Sequence, residues 1–288
     1  MRNTCLEQIY ELAKKDSRIV FIGSDLGAGT LQKFKDEMPE RFFMEGIAEQ
    51  NMIGMAAGMA LAGKIVYVNT IATFLTRRAY EQIAIDVCLH NLNVRLIGNG
   101  GGLVYAPLGP THLATDDLAL MCALPNMTVI APADAEEMKR LMPETVEHQG
   151  PIYIRLGKGG EPVYTPMNIP FHIGESYKIV SSTRRIIVTT GVMLGRALKF
   201  RNATVLHMPT LKPFWPDFLY YAERADEVIV IEEHVASGGL GSRCALALAN
   251  ARCNRRFTHW CLPDRFISNY GSQDEILNNL WGHPWDNY

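Results

Sequence analysis

Glu49 is the first side chain in this sequence whose position could support acid–base chemistry. It precedes an apolar segment of helix formers, in which Gly54 and Gly58 would let another backbone approach closely. A carboxylate at a helix start usually lies in solvent, near the positive end of the helix dipole. If the helix is instead buried against a second helix, of this chain or of another subunit, the carboxyl group is desolvated and its pKa is raised. Such a group suits proton exchange with a weakly basic ring nitrogen.

His112 is the second candidate for proton transfer. It lies in a long loop that follows a β-rich run, and loops of this kind are often functional. Three consecutive glycines at positions 100–102 allow close backbone approach or motion in the same loop. Imidazole changes its charge near neutral pH, although a lone loop histidine is inert more often than it is catalytic.

Two aromatic side chains, Phe74 and Tyr80, lie in a segment that predicts a long helix starting near Ala72. Aromatic residues at helix starts are commonly part of the core. An aromatic ring with an accessible face would also suit stacking against a flat heteroaromatic ligand. The residues by themselves favour the core interpretation.

The first half of the chain carries β-rich runs, each separated from the next by a segment that can hold a helix. These runs are residues 19–22, 65–68, 94–97, 129–131 and 152–154. Strands that alternate with helices indicate a parallel sheet covered on both faces. Ligands of such folds bind at the carboxyl ends of the strands.

The second half repeats this pattern on a smaller scale. Residues 157–170 are rich in glycine and proline and lack periodicity, which is typical of a linker. β-rich runs follow at 186–188, 204–206 and 228–231, with helices expected around 216–223, 240–250 and 274–280. The crossover between Leu194 and Ala203 is too short for a full helix. We predict two α/β domains, at residues 1–160 and 181–288, joined by a linker at residues 161–180.

Composition argues against several classes of protein. The formal net charge is −2, and no basic block exceeds two or three residues, so we expect no nucleic-acid surface. No uncharged apolar run approaches membrane-spanning length, and the first residues lack the apolar core of a signal peptide. We therefore expect a cytoplasmic protein with no membrane partner. The 6 cysteines and 8 histidines show no metal-binding spacing, so we expect no metal ligands from this chain.

The segment Gly46-Ile-Ala-Glu-Gln-Asn-Met52, with Ala56-Ala-Gly-Met-Ala-Leu-Ala62, closely resembles the pyrimidine-binding domain of the transketolase and deoxyxylulose-phosphate synthase branch of thiamine diphosphate enzymes. Residues 232–242 and 262–266 are similar to the C-terminal domain of the same family. The resemblance implies two three-layer α/β domains, a parallel-sheet pyrimidine-binding domain and a smaller C-terminal one. It also implies thiamine diphosphate as cofactor.

The same resemblance assigns roles to individual residues. Glu49 matches the glutamate that hydrogen-bonds the cofactor's aminopyrimidine and drives formation of the reactive ylide. Phe74 matches the face against which the aminopyrimidine packs, with Tyr80 as a second wall, and Asp25 matches an aspartate close to the cofactor across the subunit interface. Gly109-Pro-Thr-His112 matches the motif whose histidine contacts the substrate's reacting oxygen atoms.

The positions that resemble substrate-binding residues are only partly retained. Arg2 takes the place of an arginine that pairs with a sugar phosphate, Lys158 lies near the place of another phosphate-binding arginine, and Gly29 replaces a phosphate-binding serine. Leu108 stands where transketolases have an aspartate that binds the donor's hydroxyls, and Gly100 replaces a substrate histidine. A leucine cannot accept a hydrogen bond, so a less hydroxylated or differently shaped substrate is implied.

The resemblance covers only part of a complete enzyme. Thiamine diphosphate enzymes hold magnesium in a separate domain marked by Gly-Asp-Gly, and this chain has no such motif. Magnesium needs carboxylate and phosphate oxygens, so an α subunit would supply its protein ligands. We expect the β half of a split enzyme with an α2β2 assembly.

Three functions remain open at this point. The leading hypothesis is transfer of a two-carbon ketol unit from a ketose or ketose phosphate to an aldehyde or ketone. The second is carboligation that begins with decarboxylation of a 2-oxo acid, as in deoxyxylulose-phosphate synthase or in attachment of a two-carbon branch to an activated sugar. The third is a non-catalytic scaffold, ranked lowest because Glu49, Phe74 and His112 occur together.

Overall fold

The chain folds around two separate β-sheets in a computed structural model that describes residues 1–24, 29, 31–182 and 184–282. The strands are β1 (Ile19–Gly23), β2 (Phe42–Met44), β3 (Ile65–Ile71), β4 (Val94–Asn99), β5 (Thr128–Ile130), β6 (Ile152–Leu156), β7 (Tyr177–Val180), β8 (Arg185–Thr189), β9 (Thr204–His207), β10 (Thr210–Lys212), β11 (Glu227–Val235) and β12 (Arg256–Leu262). The α-helices are α1 (Arg2–Lys15), α2 (Gln32–Glu37), α3 (Glu49–Leu61), α4 (Tyr80–Gln82), α5 (Asp117–Ala123), α6 (Ala135–Glu147), α7 (Leu194–Ala197), α8 (Phe218–Ala222), α9 (Leu240–Asn250) and α10 (Gln273–Trp281). The helix predicted from Ala72 forms, but two π-helical segments, Phe74–Arg78 and Ile83–Cys88, flank α4 within it.

The first sheet has seven strands in the order β10-β5-β6-β4-β3-β1-β2. All neighbours run parallel except β10, which comes from the second half of the chain and pairs antiparallel with β5 at the edge. The carboxyl ends of β1, β3 and β4 lie side by side, since Gly23 is in register with Asn69 and Ile71 with Asn99. This edge is where a parallel sheet places its ligand site.

Helices cover both faces of the first sheet, as the alternation along β3 requires. Val66 and Val68 pack with α3, α5 and the π-helical segments. Ile65 and Tyr67 point to the opposite side, where α1, α2 and α6 pack. The predicted three-layer α/β arrangement is confirmed for this half of the chain.

The second sheet has five strands in the order β12-β11-β8-β9-β7, parallel except for β7. One face packs against α8 and α9, and the other against α7 and α10. Helices form in all three predicted segments, and the β8–β9 crossover holds only a 3₁₀ turn and the four-residue α7, as its length predicted. β7 lies at the end of the predicted linker, and the domain boundaries stay a prediction.

The two sheets share buried contacts. Val129 of the first sheet and Leu206 of the second belong to one continuous apolar cluster. Beside it, His207 Nε2 lies 2.9 Å from Glu137 Oε2, and both side chains are fully buried. None of the helices in the described ranges is long and apolar enough to cross a bilayer.

Candidate active site

Glu49 is the first residue of α3, and its side chain is almost completely buried at the carboxyl edge of the first sheet. Only 1% of it is exposed. Thr70, at the end of β3, donates a weak hydrogen bond from Oγ1 to Glu49 Oε1 at 3.4 Å. Arg78 Nη1 donates a short one to Glu49 Oε2 at 2.6 Å. The expected burial is therefore present, but the carboxylate is compensated by a cation that we did not predict.

Arg78 reaches Glu49 from the π-helical segment that begins at Phe74. The Arg78 guanidinium carbon lies 4.6 Å from the centroid of the Phe74 ring, a cation–π distance. Single π-helical turns inside helices are frequent at functional sites, because they place side chains where an α-helix cannot. The sequence signal for Arg78 is the Arg-Arg pair that follows Phe74, and only the turn geometry shows which of the two arginines faces the glutamate.

His112 completes a continuous series of contacts with Glu49, Arg78 and Phe74. Its ring meets the Phe74 ring edge-on, with centroids 5.1 Å apart and an angle of 65° between the planes. Thr111 Oγ1 lies 2.9 Å from His112 Nδ1 and helps to fix the imidazole. The structure thus brings together three residues that the sequence singled out, from α3, the π-helical segment and the loop after β4.

Tyr80 lies farther along the same helix and packs toward α5. Its hydroxyl donates to the Leu120 carbonyl at 3.3 Å, and its ring joins the core cluster that includes α3. Arg77, on the same helix, forms a 2.7 Å ion pair with Asp116. The role of Tyr80 as a second wall of the cofactor site stays a prediction.

Asp25 lies outside the described residues, so its predicted contact with the cofactor stays a prediction. Gly29 is exposed. The strand that leads to Asp25, β1, ends at Gly23 beside Asn69 of β3. The chain therefore enters this segment from the same sheet edge that holds Glu49.

The loop after β4 has its own packing constraints. Gly100 has φ +72°, and a side-chain carbon added there would lie 2.1 Å from Cε2 of Tyr105. Tyr105 therefore fills the space into which a histidine at position 100 would project. Leu108 is 52% exposed. Gly109 follows it with φ +82° and lies against the ring of Tyr270 from the second half of the chain.

Arg2 and Lys158 lie in the same part of the molecule. The amino group of Met1 is 3.2 Å from a carboxylate oxygen of Glu161, which holds the start of α1 beside the loop that carries Lys158. Lys158 is exposed and lines a cleft of about 410 Å³ between the two halves of the chain, together with Arg196 and Lys199. Glu161 and Asp274 line the same cleft, and Asp274 forms an ion pair with Arg196 at 2.5 Å, so the positive groups of this cleft are partly compensated.

A buried polar network anchors the His112 loop to the second sheet. Glu233, in β11, accepts hydrogen bonds from the Leu103 backbone at 2.7 Å and from Gln273 Nε2 at 2.7 and 2.8 Å. Arg155 donates to the carbonyls of Ala114 and Glu233 at 3.1 and 2.8 Å. Burial raises the pKa of Glu233 to about 7, against the opposing effects of Arg155 and of these hydrogen bonds. No pattern in the sequence predicted this network.

The residues at this edge fit one half of a thiamine diphosphate site. A buried carboxylate beside an aromatic face suits a flat ring with N–H groups. Within the described ranges, no group of three or more His, Cys, Asp or Glu side chains could hold a metal ion.

Two family models match the chain: the transketolase pyrimidine-binding domain over residues 1–161 and the transketolase C-terminal domain over residues 174–281. A putative transketolase C-terminal section from Methanocaldococcus jannaschii is 34% identical, over 96% of this chain and 90% of the relative. The 6-deoxy-6-sulfo-D-fructose transketolase subunit SqwH from Clostridium sp. (strain MSTE9) is 33% identical, over 86% of this chain and 80% of the relative. Among solved structures, a split gene transketolase described as an inactive beta4 tetramer superposes with a TM-score of 0.86 and 32% identity, over 97% of this chain and 92% of that one.

Proposed function

The chain belongs to the transketolase family, and we propose that it is the β subunit of a split, thiamine diphosphate-dependent transketolase that transfers a two-carbon ketol unit. The observation that carries this proposal is the continuous contact of Glu49, Arg78, Phe74 and His112 at the carboxyl edge of the first sheet. The donor is a ketose or ketose phosphate, and the acceptor is an aldehyde or ketone.

Each of the three sequence-predicted residues has a distinct task in this proposal. Glu49 holds and exchanges a proton at the ring nitrogen of the cofactor's aminopyrimidine, and its burial strengthens that hydrogen bond. Phe74 offers its ring as the stacking surface. His112 moves or stabilises protons at the substrate oxygens from its position against the edge of Phe74. When bound, thiamine diphosphate supplies the nucleophilic carbon that accepts the two-carbon unit and passes it on.

The exposed face of α3 supports the need for a partner subunit. Side-chain carbons built at Gly54 and Gly58 meet no atom of the described residues within 4 Å. Ile47 and Leu61, at the two ends of this face, are exposed by 69% and 66%. Small residues on such a face allow another backbone to approach closely. We propose that an α subunit packs here in an α2β2 enzyme, and the description of the related beta4 tetramer as inactive agrees with this requirement.

The same α subunit would supply the diphosphate site and the protein ligands of Mg²⁺. Magnesium prefers carboxylate and phosphate oxygens in octahedral geometry. A cytoplasmic location is likewise proposed from the sequence features given above.

The substrate pocket supports a donor or acceptor that is bound with fewer hydroxyl contacts. Leu108 offers an apolar surface where a carboxylate would bind hydroxyls, and Tyr105 fills the space beside Gly100. Arg2 and Lys158 remain available to attract an anionic end of the substrate, with Lys158 acting as a point charge rather than as a bidentate group.

The decisive experiment is reconstitution of the β chain with its α subunit and measurement of ketol transfer. The Glu49→Gln variant should lose at least about a hundredfold in kcat, the usual effect of removing a general acid–base group. Glu40→Gln is the matched control, because Glu40 is an exposed carboxylate away from the site. Full activity of Glu49→Gln in an assembled complex would contradict the proposal.

A second function, carboligation after decarboxylation of a 2-oxo acid, is favoured by the apolar side chain of Leu108. Comparison of pyruvate with a ketose phosphate as donor separates the two reactions. The scaffold hypothesis predicts that thiamine diphosphate neither stabilises nor activates any assembled complex, and thermal unfolding with and without the cofactor tests it.

A further inference from the structure

The Arg78 guanidinium lies between the two side chains assigned to the cofactor's aminopyrimidine. Its Nη1 donates to Glu49 Oε2 at 2.6 Å, and its central carbon lies 4.6 Å from the centroid of the Phe74 ring. Arg78 therefore makes one hydrogen bond to the buried carboxylate and one contact with the aromatic face. These are the same two contacts that the aminopyrimidine needs.

A guanidinium and an aminopyrimidine are chemically alike in this setting. Both are flat, delocalised groups whose N–H donors lie in the plane, and both pack on aromatic faces. A ring that hydrogen-bonds Glu49 and stacks on the face of Phe74 covered by Arg78 needs the volume that the guanidinium fills. The two groups cannot occupy that volume together.

The pairing also explains how Glu49 is tolerated in its buried position. An ionised carboxylate that is removed from water without a partner is strongly destabilising. Arg78 provides this partner and remains connected to solvent, since 44% of its side chain is exposed. Among the described residues, Glu49 is the one hydrogen-bond partner of the guanidinium, so the side chain can rotate outward by breaking one ion pair and its contact with the Phe74 ring.

We propose that Arg78 is an internal competitor of the cofactor's aminopyrimidine, which closes the space between Glu49 and Phe74 until the ring displaces it. The inference rests on the proposed function, because it requires the ring to bind these two side chains. Arg78 then keeps the site stable before the cofactor enters and lowers the affinity for the cofactor as a consequence.

The test is the dissociation constant of thiamine diphosphate, measured by calorimetry with Mg²⁺ on the reconstituted α–β complex. Arg78→Met keeps a long side chain but removes the charge, and it should lower the dissociation constant by about tenfold, as expected when a charge-assisted hydrogen bond no longer competes. The same variant should unfold at a lower temperature without cofactor, because Glu49 loses its partner. Arg77→Met is the control, since Arg77 pairs with Asp116. The dissociation constant of thiamine diphosphate should be the same in this variant as in the wild type.

A second measurement separates competition at the site from a change in affinity caused by misfolding of the variant. In Arg78→Ala, added methylguanidinium should raise the apparent dissociation constant of thiamine diphosphate, because it refills the space, whereas it should not do so in the wild type. Lower stability together with weaker cofactor binding in Arg78→Met and Arg78→Ala would overturn the proposal and make Arg78 a positioning residue. Failure of the proposed function is distinguishable, since Glu49→Gln in the wild-type background would then leave cofactor binding unchanged.

Discussion

The imidazole of His112 meets the ring of Phe74 edge-on, with the two centroids 5.1 Å apart, although Phe74 lies in a π-helical segment after β3 and His112 in the loop after β4. This contact places the proposed proton-transfer group beside the proposed stacking surface. Motion of the His112 loop would therefore change the contact of His112 with the Phe74 ring, the proposed stacking surface for the cofactor. The hydrogen bond from the Leu103 backbone to Glu233 limits that motion.

His112→Asn should lower kcat of the reconstituted enzyme by roughly a hundredfold to ten-thousandfold, because the variant lacks the imidazole proposed to move protons at the substrate oxygens. Cofactor affinity should stay near that of the wild type, since Phe74 and Glu49 are unchanged. Steady-state kinetics checks the expected loss in kcat, and titration with thiamine diphosphate checks the expected cofactor affinity. His90→Asn, at an exposed histidine, is the control, and equal losses in both variants would remove His112 from the mechanism.

Leu108→Asp should shift substrate preference toward more hydroxylated donors, because it provides an acceptor for hydroxyl hydrogen bonds. The side chain is 52% exposed, so stability should change by less than about 1 kcal/mol. The measurement is the ratio of kcat/KM values for donors that differ in hydroxylation. Leu246→Asp is the control on the exposed side of α9, and an unchanged ratio in Leu108→Asp would place the donor elsewhere.

Glu233→Gln should flatten the pH dependence of stability. Burial raises the pKa of Glu233 from its ordinary 4.5 to about 7, so the folded chain holds a proton that the unfolded chain releases. Stability therefore falls as the pH rises from about 4.5 to 7, by roughly 3 kcal/mol in total, and then levels off. The quantity to measure is the difference in free energy of unfolding between variant and wild type at pH 5 and pH 7.5.

Glu7→Gln on the exposed side of α1 serves as the control for this comparison. A difference between Glu233→Gln and wild type that is constant over the pH range would assign the titration to another group.

His259 also contributes to the pH dependence of stability, because hydrogen bonds with Cys261 and Glu232 outweigh burial and raise its pKa to about 9. Its stabilising effect is present below its ordinary pKa near 6.5 and is lost as the pH rises through 9.

Much of the fold could be predicted because the strands are short apolar runs at regular spacing. The alternation of such runs with helical segments is a local property, and it predicted the central strands of both sheets and the short β8–β9 crossover, but not the edge strands β7, β10 and β12. β10 escaped prediction because three residues carry little pattern, and its partner β5 lies about 80 residues earlier in the chain.

Residues of the functional site could be predicted only where they belong to a sequence motif that resembles the family. Glu49, Phe74 and His112 were found through a resemblance, and the structure brings them together. Arg78 could not be found from helical periodicity, since a π-helical turn rather than an α-helical one directs it to Glu49. The Glu233 network joins residues 130 positions apart, and the Tyr105 contact with Gly100 depends on a left-handed backbone, so neither follows from spacing.

The antiparallel pairing of β10 with β5 ties the two halves of this polypeptide in a way that a linker alone does not. A fragment that stopped at residue 160 would keep six parallel strands but leave the outer backbone groups of β5 without their cover. Bare strand borders of this kind recruit neighbouring molecules. A fragment produced by cutting the gene between its two halves is therefore expected to aggregate through the unpaired edge of β5. Any engineered form of the protein should keep both halves in one chain.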